Sequence, residues 1–187
     1  MNRLTAVAVA LLVLAAAPPV QAGSKLRVYV YNLANVPEDT LNLAKGYAQT
    51  IFAATGIDVE WIQVDKCDSV TTGDAQILML TRSLAKTKDT TRGATVRGYS
   101  AWAFYDRVES FVAESGSRLY LHNMPELAKS RVLGSVIAHE LGHALQLDHS
   151  AEGIMKPQWN IRDFDSPGIN KLRFSPSEAR GLVAAIR

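Results

Sequence analysis

Cysteine is almost absent from this chain: Cys67 is the only one in 187 residues. A single cysteine excludes an internal disulfide, so stability has to come from a packed core or from a bound metal. Charge of one sign is also missing. Twenty lysines and arginines face 18 aspartates and glutamates, for a formal net charge of +2, and no lysine–arginine cluster stands out. That balance gives no support to nucleic-acid binding or to an anionic membrane surface. Beyond residue 22 there is no long apolar run, which excludes a membrane span in that part of the chain. Internal repeats, low-complexity tracts and interdomain linkers are absent too. Histidine is scarce, with only 4 in the chain.

The first 22 residues differ from the rest. Arg3 precedes an apolar stretch from Leu4 to Ala17, and Val20-Gln21-Ala22 supplies small residues at a cleavage position. This is the pattern of a secretory signal peptide over residues 1–22. A buried N-terminal helix fits less well, because Pro18, Pro19 and Gly23 would break it. The expectation is an exported protein, periplasmic or secreted, whose mature part is one domain over residues 23–187, with length enough for a core. Without Arg3 the formal charge falls from +2 to about +1. Cys67 lies far from the cleavage position and cannot serve as a lipid anchor there.

Periodicity predicts an α/β chain. "LRVYVYNL" (26–33) reads as a strand, residues 38–55 as a helix with Pro37 at its start and Gly56 after its end, and "IDVEWIQV" (57–64) as a second strand. This order favours a parallel pair with a crossover helix. "AQILMLT" (75–81) is nearly all apolar and reads as a central strand covered on both faces. Residues 82–97 read as an exposed polar loop, and 98–105 and 117–123 as two further strands. From Pro125 to about Gln146 apolar residues encircle a helix that should be largely buried. Residues 147–174 show little periodicity, and Ser175-Pro176-Ser177-Glu178 is a capping box opening a last helix.

"AHELGHALQLDHS" (138–150) holds three of the four histidines. On a helix, His139 and His143 lie one turn apart on one face, so two imidazoles can share a metal, with Glu140 beside them. His149 lies just past the helix end, where a sharp reversal could return it to the metal. A catalytic zinc keeps three protein ligands and an open position, lowers the pKa of a coordinated water toward ~7 and polarises a carbonyl. Glu140 would be the general base and would hand the proton to the leaving amine. A bare His-Glu-x-x-His also arises by chance, and three buried hydrogen-bonded histidines are the bland reading. The third histidine at ligand spacing favours one catalytic Zn2+. His122, at the end of a predicted strand, reads as an ordinary surface or core histidine. Tyr99, Trp102, Phe104 and Tyr105 fit a substrate cleft or a core face about equally, and Asp163 and Asp165 fit a cation site less well than a solvated loop.

His139-Glu140-x-x-His143-x5-His149 followed by Met155 resembles the metzincin clan of zinc peptidases. Within it, Ser150 after the third histidine and Met155-Lys156-Pro157-Gln158-Trp159 are similar to matrixins, with Trp159 where those carry tyrosine. The resemblance implies a twisted, mostly parallel sheet with an antiparallel edge strand, a crossover helix, a central active-site helix and a C-terminal helix. It places Met155 in a methionine turn beneath the metal, and Val136, Pro157 and Trp159 around a pocket for an apolar side chain after the cleaved bond. It implies a monomer that hydrolyses a peptide or protein substrate. Gln146 stands where the clan carries glycine, so it should occupy the left-handed region. No pro-segment fits between the cleavage position and the first strand. The stretch from Gly73 lacks the pattern of structural calcium or a second zinc, and Cys67 reads as a plain loop cysteine. The alternative reading is a non-catalytic relative, zinc-stabilised, that binds peptides or a partner; retention of Glu140 argues against it. A zinc aminopeptidase is weaker still, since no acidic pair is placed to hold a substrate amine.

Overall fold

The computed structural model describes residues 24–64, 75–80, 91–96, 99–118, 121, 123–164 and 171–186. Residues 1–22, read above as a signal peptide, and Cys67, His122 and Asp165 lie outside the described residues.

The chain opens with strand β1 (Ser24–Asn32), helix α1 (Glu38–Ala53) and strand β2 (Ile57–Gln63). β1 and β2 pair in parallel, and α1 is the crossover between them. Gly56, with φ +81°, reverses the chain after α1. Strand β3 (Ala75–Leu80) follows, then β4 (Gly93–Val96) and β5 (Ser100–Phe104). The five strands stand in the order β2-β1-β3-β5-β4. Every pairing is parallel except β4 on β5, which makes β4 an antiparallel edge strand. Helix α2 (Tyr105–Ser115), helix α3 (Pro125–Ala144) and helix α4 (Pro176–Ala185) complete the domain.

α1 and α3 pack against each other and against the sheet, α1 on β2 and α3 on β3, β4 and β5. The core lies between them: Val28, Val30, Ile77 and Met79 from the strands meet Ala44, Ala48, Phe52, Leu133, Ile137 and Leu141 from the helices, all buried. Each large apolar side chain buried here contributes roughly 1.5–3 kcal/mol relative to exposure. From Ala128 onward α3 is buried around most of its circumference, as its sequence predicts. The Ser175–Glu178 capping box is present in both directions.

Several sequence expectations need correction. The segment 117–123 is not a strand in its described part: Gly116–Arg118 is a short 3-10 turn and Leu121 lies in a turn. β5 ends at Phe104, one residue short of the expected strand, and Tyr105–Ser115 form α2, a helix that the sequence reading did not identify. α2 buries a narrow stripe, Tyr105, Val108, Val112 and Ser115, and its charged residues mask that spacing in the sequence. The polar run 82–97 contains β4, too short to show alternation. β3 is central, but only Ala75, Ile77 and Met79 are fully buried; Gln76, Leu78 and Leu80 on its other face are part-buried.

Candidate metal centre

α3 is the rigid base of the site. It carries His139, Glu140 and His143 over its last two turns, packed beneath the sheet. The helix stops at Ala144, slightly short of the sequence expectation, and reverses at once. Gln146 takes φ +67°. Its N–H donates to the His143 carbonyl (2.9 Å), and the Leu147 N–H donates to the Gly142 carbonyl (3.0 Å). This is a Schellman reversal with Gln146 at the left-handed position that usually holds glycine. A side chain there costs on the order of 1 kcal/mol. Gln146→Gly is therefore expected to leave stability unchanged or raise it by up to about 1 kcal/mol. A melting curve shifted clearly downward would contradict that.

The reversal brings His149 back to the helix. Its Nε2 lies 3.1 Å from His143 Nε2, which lies 3.0 Å from His139 Nε2. The other nitrogens of the two helical imidazoles face backbone carbonyls. His139 Nδ1 donates to the Ile154 carbonyl and His143 Nδ1 to the Leu147 carbonyl, each at 2.7 Å. A carbonyl only accepts, so Nδ1 carries the proton, and in a neutral ring Nε2 is left as a bare lone pair. Lone pairs at 3.0–3.1 Å repel one another unless a cation lies between them. Two nitrogens bound tetrahedrally at ~2.0–2.1 Å from a zinc would be about 3.3–3.4 Å apart, close to this spacing. Burial holds His139 neutral by pushing its pKa down to about 4, and burial also lowers that of His143. The donor set fits a divalent metal with nitrogen preference.

Met155 is fully buried against α3 at Gly142. A Cβ on Gly142 would lie 2.6 Å from the Met155 sulfur, so the glycine lets the methionine side chain pack close against α3. The Ser150 N–H donates to the Met155 carbonyl (3.0 Å), which ties the segment after His149 to the one around Met155.

Glu140 is 5 % exposed. The Thr95 hydroxyl reaches both its carbonyl oxygen and its Oε2, at 3.0 Å each. A Cβ on Gly93 would meet the Glu140 side chain at 2.5 Å, so β4 lies directly on the carboxylate. Burial raises the Glu140 pKa to about 7, against the lowering effect of the Thr95 hydrogen bond. Thr95, Gly93 and the carbonyls of Leu147 and Ile154 are contacts of the candidate site that sequence reasoning missed. None has a local signal.

The three histidines and Glu140 open into a cleft of ≈ 840 Å³. Val136, Pro157 and Trp159 all line it. Trp159 also packs inward: it is 8 % exposed and stacks edge-on against His139 (ring centroids 5.3 Å) and Phe164 (6.0 Å). Tyr99, Trp102, Phe104 and Tyr105 do not line this cleft; Phe104 and Tyr105 are buried. Asp163 is not free for a cation. It accepts from Lys156 Nζ (3.1 and 3.3 Å) and from the Asn160 N–H (2.7 Å), which caps the short turn Ile161–Asp163.

No family model and no curated protein matches the chain in sequence. Solved structures do match in shape. Archaemetzincin of Methanopyrus kandleri superposes with a TM-score of 0.58 at 14% identity, over 89% of this chain and 98% of that one. A zinc-dependent peptidase of Methanocorpusculum labreanum gives 0.58 at 12% identity, over 83% and 99%. The chain has a metzincin-like fold. Metalloproteinase-II of Bacteroides fragilis gives 0.53 at 12% identity, over 90% of this chain and 56% of its own. Identities this low establish architecture alone.

Proposed function

We propose that the chain is a zinc-dependent endopeptidase that cleaves peptide or protein substrates. The observation that carries this reading is the convergence of three imidazoles whose bare Nε2 atoms face one another, with a buried carboxylate in the same cleft. The zinc-peptidase neighbours of this fold support it. His139, His143 and His149 would hold the ion, and the Ile154 and Leu147 carbonyls keep two of those rings oriented. When bound, zinc supplies Lewis-acid polarisation of the scissile carbonyl and acidifies water at the site. Thr95 anchors Oε2 of Glu140. Glu140 accepts a proton from the attacking water and returns it to the leaving amine. β4 stands at the end of the sheet, and Gly93, Ala94 and Thr95 line the cleft, so an extended peptide can pair along that edge. A strand laid along an edge runs past the site in both directions, which favours cutting within chains.

The non-catalytic alternative would gain support if Gln146, in place of the clan's glycine, spoiled the turn that returns His149. The reversal forms around Gln146 regardless, and that support falls away. The reading extends to export, on the pattern of residues 1–22, and to a monomer. No helix among the described residues is long and apolar enough to cross a membrane. A peptide-library digest tests the function: internal bonds are cut with zinc present and spared after chelation. Zinc-loaded protein that cuts no peptide would return the chain to the binding reading.

Trp159 provides a finer test. Its indole Nε1 is buried with no hydrogen-bond partner among the described residues, so Trp159→Phe removes that donor while keeping a ring against His139. We expect this substitution to enlarge the pocket and shift the preferred residue after the cut toward bulkier side chains, with zinc content unchanged. An identical library profile in the folded variant would leave Trp159 as a core residue only.

A further inference from the structure

Arg92 lies just before β4 and lines the same cleft as the histidines. Its guanidinium carbon sits 4.1 Å from the centroid of the Phe111 ring. Phe111 contacts Phe164 (5.6 Å), Phe164 contacts Trp159 (6.0 Å), and Trp159 contacts His139 (5.3 Å). An aromatic ladder thus runs from the metal-site imidazole to this cation. Among the described residues no carboxylate lies within ion-pair distance of Arg92 and no hydrogen-bond acceptor meets its guanidinium; Glu114 acts on it only at longer range. Stacking uses the face of the guanidinium and leaves its N–H edges free. Those edges are a fork shaped for a planar, two-oxygen acceptor.

The other charges of the cleft are already matched. Lys156 is bound by Asp163 at 3.1 and 3.3 Å. Glu140, the one carboxylate in the lining, is buried and hydrogen-bonded by Thr95. The described lining therefore presents a single unmatched charge, and it is positive.

We propose that Arg92 is a specificity-determining residue that receives a carboxylate of the peptide substrate, at the part of the peptide that passes Trp159. This rests on the peptidase reading for its substrate class. An acidic side chain and a free C-terminal carboxylate carry the same chemistry. The aliphatic stem of a glutamate would lie along the apolar wall and deliver its charge to the guanidinium.

The test uses peptide pairs identical except for Glu against Gln at successive positions around the cut, and a further pair ending in a carboxylate or an amide. Wild type is expected to favour the charged member of one pair by about ten- to hundredfold in kcat/KM, as a charge-assisted hydrogen bond allows. The preference should shrink as salt rises. Arg92→Met keeps a contact on Phe111 and should bring the ratio to near one, while Arg92→Lys should keep part of it. A role confined to packing α2 against β4 would not move this ratio. Which pair responds identifies the source of the carboxylate. The same peptides are also measured by binding to the Glu140→Gln protein. A charge preference there that vanishes on Arg92→Met supports the site even if the wild type cuts nothing, in which case the peptidase reading alone fails. Equal affinity for both members of every pair, or a preference that survives Arg92→Met, overturns the assignment.

Discussion

Glu140→Gln is expected to lower kcat/KM for peptide hydrolysis by about 10²–10⁴-fold, the usual contribution of a positioned general base, with zinc content unchanged. Glutamine has the same shape, so the close fit against Gly93 is kept and the Thr95 hydroxyl still has an oxygen to bond. What is lost is the ability to take a proton from water. The ligand set is untouched, because the converging nitrogens belong to His139, His143 and His149. Activity and zinc measured on one preparation decide the role. If zinc is lost in step with activity, Glu140 is a ligand and the general-base assignment is wrong.

His143→Ala should release the metal and lower stability together. His143 is the middle of the group, with its Nε2 within 3.1 Å of both neighbours. A ligand bound only to the folded state stabilises it by about 4 kcal/mol when its concentration is a thousandfold above Kd. For a domain of this size each kcal/mol corresponds to roughly 2–4 °C, so the melting temperature should fall by about 8–16 °C. Chelation separates this from simple loss of packing. Stripping zinc should destabilise wild type by most of that amount and leave His143→Ala unmoved. A variant that still responds to chelator would keep its metal elsewhere.

The legible parts of this protein are those written in short-range spacing. His139 and His143 share a face because four residues make about one turn, and the Ser175–Glu178 box is a local exchange of hydrogen bonds. The first strand, helix and strand follow from their periods. The left-handed position of Gln146 was legible through the resemblance, because the clan carries glycine there. The contact of Thr95 with Glu140 spans 45 residues and has no signature in either segment. β4, which provides it, is four residues long and sits in a polar run. α2 was hidden for another reason: Phe104 and Tyr105 continue a strand pattern, yet the backbone turns helical at Tyr105. The pairing of Asp163 with Lys156 depends on the fold of an irregular segment, so the sequence, where Asp163 reads as part of a solvated loop, could not show it.

The central claim is that three histidines hold one zinc. Calorimetric titration of zinc into metal-stripped protein beginning at Gly23 tests it most directly. The structure predicts one tight site, about one zinc per chain, abolished when His139, His143 and His149 are replaced together. Absence of tight binding in the wild type, or full binding in the triple replacement, would contradict it.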